Sequence, residues 1–171
     1  MRAWIDVAVL AKSKNLNGRL VVRATAGFPF LLAEGCEVAF VPPQTDAPRS
    51  AVVETFELIS DSSAEVVFAG VDGDAARMLV GCHCLIRRSE LDDSLFEEEP
   101  AMWDGWRVID VTAGEIGMVE GLVDNPGQTL LEVQRADGST VFVPVVDEIV
   151  LDVRPDEGIV STDLPKGLLD L

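Results

Sequence analysis

The side chains able to do chemistry are few in kind. The 171-residue chain holds one histidine, His83, three cysteines, Cys36, Cys82 and Cys84, and no tyrosine. Cys82-His83-Cys84 invites a metal reading, but in a strand the two thiols share one face and His83 takes the other. Tetrahedral zinc would need two further ligands, and Cys36 supplies one at most. An odd cysteine count without an export signal argues against a disulfide framework, and free cysteine is commonly a core residue. All three read as core thiols, with no metal and no other cofactor expected. Carboxylates are abundant, yet the neighbours Asp147-Glu148 and Asp156-Glu157 read as solvated turn residues. There is no P-loop, no GxGxxG after a strand and no HExxH. With so few nucleophile–base pairs available, the expectation is a binding protein without catalytic residues, not an enzyme.

Two groups of residues suggest binding instead. Lys12, Lys14, Arg19 and Arg23 surround the expected loop Ser13–Gly18 and form a local basic cluster suited to phosphate contacts; an ordinary solvated loop would look the same. Met102-Trp103-Asp104-Gly105-Trp106 places two tryptophans within four residues. Tryptophan anchors interfaces and fills the cores of small domains. Met102, Trp103 and Trp106 are therefore candidates for partner contact, with a core role expected for at least one of the tryptophans.

Charge separates the two groups. Net charge is −17. Residues 1–90 carry 9 basic and 11 acidic residues, whereas residues 91–171 carry 4 and 19. So sharp an asymmetry suggests two domains with different partners. The acidic half should repel bare nucleic acid and attract basic proteins, although acidic surface can also serve solubility alone.

The elements that must position these residues are nearly all strands. Ile5–Leu10, Gly18–Arg23, Glu37–Val41, Arg49–Ile59, Glu65–Val71 and Cys82–Arg87 are apolar or β-branched stretches between turn-rich segments. Asp74–Leu79 is a short helix, with Asp72 or Asp74 able to cap it and Gly81 to end it. Residues 91–99 read as an acidic linker, since Asp92, Asp93, Glu97, Glu98 and Glu99 repel one another. Then Arg107–Val111, Gly117–Val123, Thr129–Arg135, Thr140–Val145, Glu148–Val153 and Ile159–Thr162 alternate with turns such as Asn125-Pro126-Gly127. Closure into small barrels is the economical way to hide so many sheet edges. The expected fold is mainly β: two small β-barrel domains, residues 1–90 and 100–171, joined by the acidic linker 91–99. No apolar run approaches the roughly 18–20 residues that span a bilayer. Asp6 interrupts the opening apolar stretch too early for a signal peptide, so a cytoplasmic location is expected.

The order of motifs along almost the whole chain resembles the RimM family of ribosome maturation factors. Val7–Leu10 followed by Asn15-Leu16-Asn17-Gly18-Arg19-Leu20-Val21-Val22 is similar to the family's opening strand and its HGLKGEVKV-type segment, with Asn15 where His is usual and Arg19 where Glu is usual. Gly70 to Gly81 resembles the segment that ends the N-terminal domain. Gly114-Glu115-Ile116-Gly117-Met118-Val119 resembles the GxxLGxV hairpin of the PRC barrel, Val143-Pro144-Val145-Val146 its IPFV strand, and Leu164 to Leu171 the family's terminus. At the start of that barrel the family carries YYWxDLIG with two tyrosines implicated in ribosome binding; here Ala101 and Met102 replace both, Trp103 fits, and Gly105 stands where Asp is usual. The resemblance implies a six-stranded N-terminal barrel of translation-factor type and a C-terminal PRC barrel. It also implies association with the free, immature 30S subunit, help in maturing the 16S rRNA 3′ domain in the subunit head, and binding of the basic small-subunit ribosomal protein nineteen through the acidic domain. The cationic residues would face rRNA. A monomer with no membrane partner is expected; the alternative is a PRC-barrel scaffold for a different complex.

Overall fold

A computed structural model describes residues 3–14, 17–25 and 27–170; Asn15, Leu16 and Leu171 of the motifs above lie outside them. The chain divides into two compact units, with the division between Leu91 and Asp92.

The first unit is a closed barrel. Its strands are β1 (Trp4–Lys14), β2 (Arg19–Ala24), β3 (Glu37–Val41), β4 (Ser50–Ser60), β5 (Ser63–Phe68) and β6 (His83–Arg87), hydrogen-bonded in the order β1-β2-β5-β4-β3-β6. Alternation builds it. Along β5, Ala64, Val66 and Phe68 are buried while Ser63, Glu65 and Val67 are half-exposed, the period-two pattern of a strand with one wet face. Phe40 and Phe68 meet edge-to-face inside, 5.2 Å apart, a favoured aromatic geometry. Helix α1 (Gly73–Leu79) follows β5; Asp72 caps it by accepting the Ala75 N–H at 2.8 Å, and Ala76 and Leu79 are buried. Gly18 has φ +78°, and a Cβ there would stand 2.0 Å from the Val71 carbonyl oxygen. Any side chain would push the β1–β2 turn off the segment that leads into α1. The expected basic loop is shorter than read: Lys12 and Lys14 belong to β1, which runs past Leu10 through an irregularity in its pairing with β2. An extra residue there keeps the pair together while both lysines stay outside.

The second unit is a six-stranded sheet of β7 (Arg107–Asp110), β8 (Gly114–Asn125), β9 (Gln128–Gln134), β10 (Thr140–Pro144), β11 (Val150–Arg154) and β12 (Ile159–Thr162), in the order β10-β9-β8-β7-β12-β11. β12 runs parallel to β7 and antiparallel to β11. The end strands β10 and β11 follow one another in the chain without pairing, so a seam separates them. Gly117 lies where a Cβ would come within 2.1 Å of the Gln134 carbonyl oxygen, which explains the motif glycine: β8 and β9 approach too closely there for a side chain.

Residues 91–99, read as a solvated linker, are folded. Asp92 caps helix α2 (Asp93–Glu98) by accepting the Ser94 N–H at 2.9 Å. Phe96 is fully buried and stacks on Trp106, with ring centres 6.1 Å apart. One aromatic side chain outweighs the mutual repulsion of the surrounding carboxylates, because burying a phenyl ring is worth roughly 1.5–3 kcal/mol and exposed charges repel weakly in water.

Candidate functional site

Pairing of β1 with β2 gathers the four basic candidates. Lys14 lies opposite Arg19, Lys12 opposite Val21, and Arg23 opposite Val9. Leu10, Leu20 and Val22 of the same two strands point into the core, so Lys12, Lys14, Arg19 and Arg23 share the outer face. The four are not equivalent. Glu65, opposite Val21 on β5, accepts hydrogen bonds from Lys14 and, at 3.2 Å, from Arg19. The Lys14 bond first, then the Arg19 bond, holds its carboxyl below the usual range. Arg19 also stands 3.9 Å from Glu57. Lys12 and Arg23 are exposed and have no ion-pair partner among the described residues. They are the cations free to meet an external anion.

Met102, Trp103 and Trp106 do not form a surface. They are 3 %, 2 % and 3 % exposed. The Trp103 indole N–H donates to the Phe96 carbonyl, and Trp106 stacks on the Phe96 ring. The cluster fixes α2 against the sheet, which is a core role for both tryptophans.

Above that cluster, at the seam, lies a groove of about 470 Å³. Pro100, Trp103, Val145, Val150 and Leu151 give it an apolar lining; Glu97, Glu98, Asp147 and Asp152 give it carboxylates, and no cation lines it. Glu97, Glu98 and Asp147 have no ion-pair partner among the described residues, while Asp152 stands 3.6 Å from Nε of Arg154. Sequence reading placed Glu97 and Glu98 in a linker, Asp147 in a turn and Asp152 in a strand, and did not join them. The clue was the apolar pair Leu95-Phe96 inside the acidic run, which brings α2 back onto the sheet.

A second residue missed from sequence is Asp110, 3 % exposed at the end of β7. Its carboxylate accepts the N–H groups of Thr112 at 2.9 Å, Ala113 at 2.8 Å and Leu164 at 2.7 Å, and the Thr162 hydroxyl at 3.5 Å. Burial alone would push its carboxyl up; these hydrogen bonds, with Ala113 and Leu164 foremost, together hold it below the usual range. The signal was an Asp two residues ahead of a Thr-Ala-Gly turn, an Asx-turn arrangement. Asp110 organises structure.

Thiol chemistry is suppressed at Cys36 and Cys84. Burial, then the neighbouring Glu90 carboxylate, pushes the Cys36 thiol up to about 11, and burial raises that of Cys84 further. No group of three or more metal-ligating side chains occurs among the described residues. The ring of His83 sits 2.7 Å from Asp6, in an exposed pair. No helix among the described residues is long and apolar enough to cross a membrane.

Comparison with known proteins points to one family. The family model of the RimM PRC barrel domain matches residues 104–168, from the turn before β7 to the tail after β12. The ribosome maturation factor RimM of Synechococcus sp. strain CC9311 is 32 % identical, over 98 % of this chain and 91 % of its own. That of Synechococcus sp. strain WH7803 is 29 % identical over 98 % and 97 %. A solved RimM from Pseudomonas aeruginosa, described as a 16S ribosomal RNA processing protein, aligns over 95 % of this chain and 98 % of its own at 19 % identity and a TM-score of 0.43. With a full-length relative 32 % identical and the family's PRC barrel model matching the second unit, the chain belongs to the RimM family.

Proposed function

We propose that this chain is a ribosome maturation factor that works on the immature 30S subunit and aids assembly of its head, including maturation of the 16S rRNA 3′ domain. In this reading the acidic second unit holds a basic ribosomal protein, small-subunit protein nineteen by the family resemblance. The first barrel presents Lys12 and Arg23, with Lys14 and Arg19 beside them, to rRNA. The observation that carries it is the partition of charge: the acidic excess of the chain lies in the second unit, while four of the nine basic residues of the first share one outer face. The relatives' names support the process, and the charges support the division of labour, because opposite potentials steer and select partners. The protein acts by binding and performs no covalent step.

Co-sedimentation tests this. The chain should travel with 30S particles from cells lacking the factor, and not with complete 70S ribosomes. Lys12→Ala with Arg23→Ala should weaken that association, and by less as salt rises. Equal recovery with 30S and 70S, or none with either, overturns the proposal.

A further inference from the structure

We infer that the groove at the β10–β11 seam receives an extended, basic segment of the ribosomal protein partner, added as a strand along the free edge of β11. This rests on the reading that the second unit holds a basic protein. Three observations converge on the groove. First, β11 is the last strand of its sheet: one edge pairs with β12 and the other borders the groove, where the Val150 N–H donates to the Val146 carbonyl at 2.8 Å and Leu151–Val153 have no further backbone partner among the described residues. A free edge offers unpaired backbone donors and acceptors, the requirement for strand addition. Second, the lining has two chemistries, apolar at Val150 and Leu151 and anionic at Glu97, Glu98, Asp147 and Asp152. An added strand turns alternate side chains to opposite sides, so a segment alternating Lys or Arg with aliphatic residues meets both at once. Third, Glu97, Glu98 and Asp147 have no cation beside them among the described residues, in contrast to Glu65, which is engaged by Lys14 and Arg19. Three carboxylates without a counter-charge beside apolar surface exclude a nucleic-acid backbone and favour a cationic polypeptide. Leu151, 53 % exposed, is the aliphatic contact such a segment would cover.

The test uses the full chain and a synthetic decapeptide of alternating Lys and Val. Amide shifts followed by NMR should concentrate at Val150–Arg154, at residues 145–147 and in α2. The same peptide with Glu in place of Lys should leave them unmoved. Asp147→Lys with Asp152→Lys changes two exposed residues and should retain the wild-type melting temperature while weakening the Lys–Val peptide roughly tenfold or more. Glu120→Lys with Asp124→Lys on β8 makes the same change in net charge and should weaken it far less. Shifts elsewhere on the sheet, or equal losses in both double variants, overturn the groove. If Asp147→Lys with Asp152→Lys co-sediments with immature 30S as the wild type does, the groove is not the partner site, though the function proposed above stands. Failure of the wild type itself to co-sediment removes that function, and this inference with it.

Discussion

Asp110 shows how much one side chain organises. It ties the β7–β8 turn to Leu164 beyond β12, because a single carboxylate satisfies three backbone N–H groups. Asparagine has one acceptor oxygen and a donor where an acceptor is needed, so Asp110→Asn should cost about 1–3 kcal/mol in thermal or urea unfolding. The sign of its pH dependence follows from the depressed carboxyl. The stabilisation is fully present above the unfolded-state value near 3.9 and is lost as pH falls through the lower folded value. The gap between wild type and Asp110→Asn should therefore be constant near neutrality and close in acid; a gap that widens on acidification would contradict this account. At this scale sequence was a partial guide. The four cations were found because charge is read directly from residue type. Their inequality was not, since only the register of β2 with β5 brings Glu65 to Lys14 and Arg19.

Among the elements, strands were the most legible and α2 the least. The reading of β3 matches to the residue, that of β2 to within one residue and that of β5 to within three. β1 runs longer than read because an irregular pairing between Leu10 and Lys12 carries it past a break in the pattern, and β8 extends back to Gly114 through an irregularity in its pairing with Val108 and Ile109 of β7. Helix α2 has only six residues, too few to hold together alone in water. Its acidic composition hid a tertiary cause, the seating of Phe96 beside Trp103 and Trp106. Phe96→Ala should therefore destabilise the second unit by about 3–5 kcal/mol and lower its melting temperature. Trp fluorescence should report the change, since two of the three tryptophans flank the ring. If Phe96→Ala left stability unchanged, α2 would be ornamental. The resemblance to the family's tyrosine-bearing segment was informative about position, not exposure: Met102 and Trp103 stand in that segment and are interior.

For the molecule as a whole, division of charge was the most telling feature of the sequence, and the fold turned it into places. Counting cations would credit the first barrel with four phosphate contacts on its outer face. The ion pairs of Lys14 and Arg19 with Glu65 leave two. The slope of log affinity against log salt for rRNA should accordingly fall by roughly 1.5 in Lys12→Ala with Arg23→Ala, and by clearly less in Lys14→Ala with Arg19→Ala. Equal slopes for the two pairs would show that Glu65 yields its partners to the RNA. The unzipped seam of the second sheet has a cost of a different kind. An edge strand with an exposed leucine is a template for further copies of the same chain, and ordinarily a route to aggregation. Near neutral pH the carboxylates around it act as gatekeepers, setting like charge against like. Replacing Glu97, Glu98 and Asp147 by Gln, Gln and Asn disarms them while leaving the edge intact. The concentrated variant should then turn cloudy well below the temperature at which it unfolds, and salt added to the wild type should not reproduce the effect so fully, because screening weakens repulsion without removing the charge.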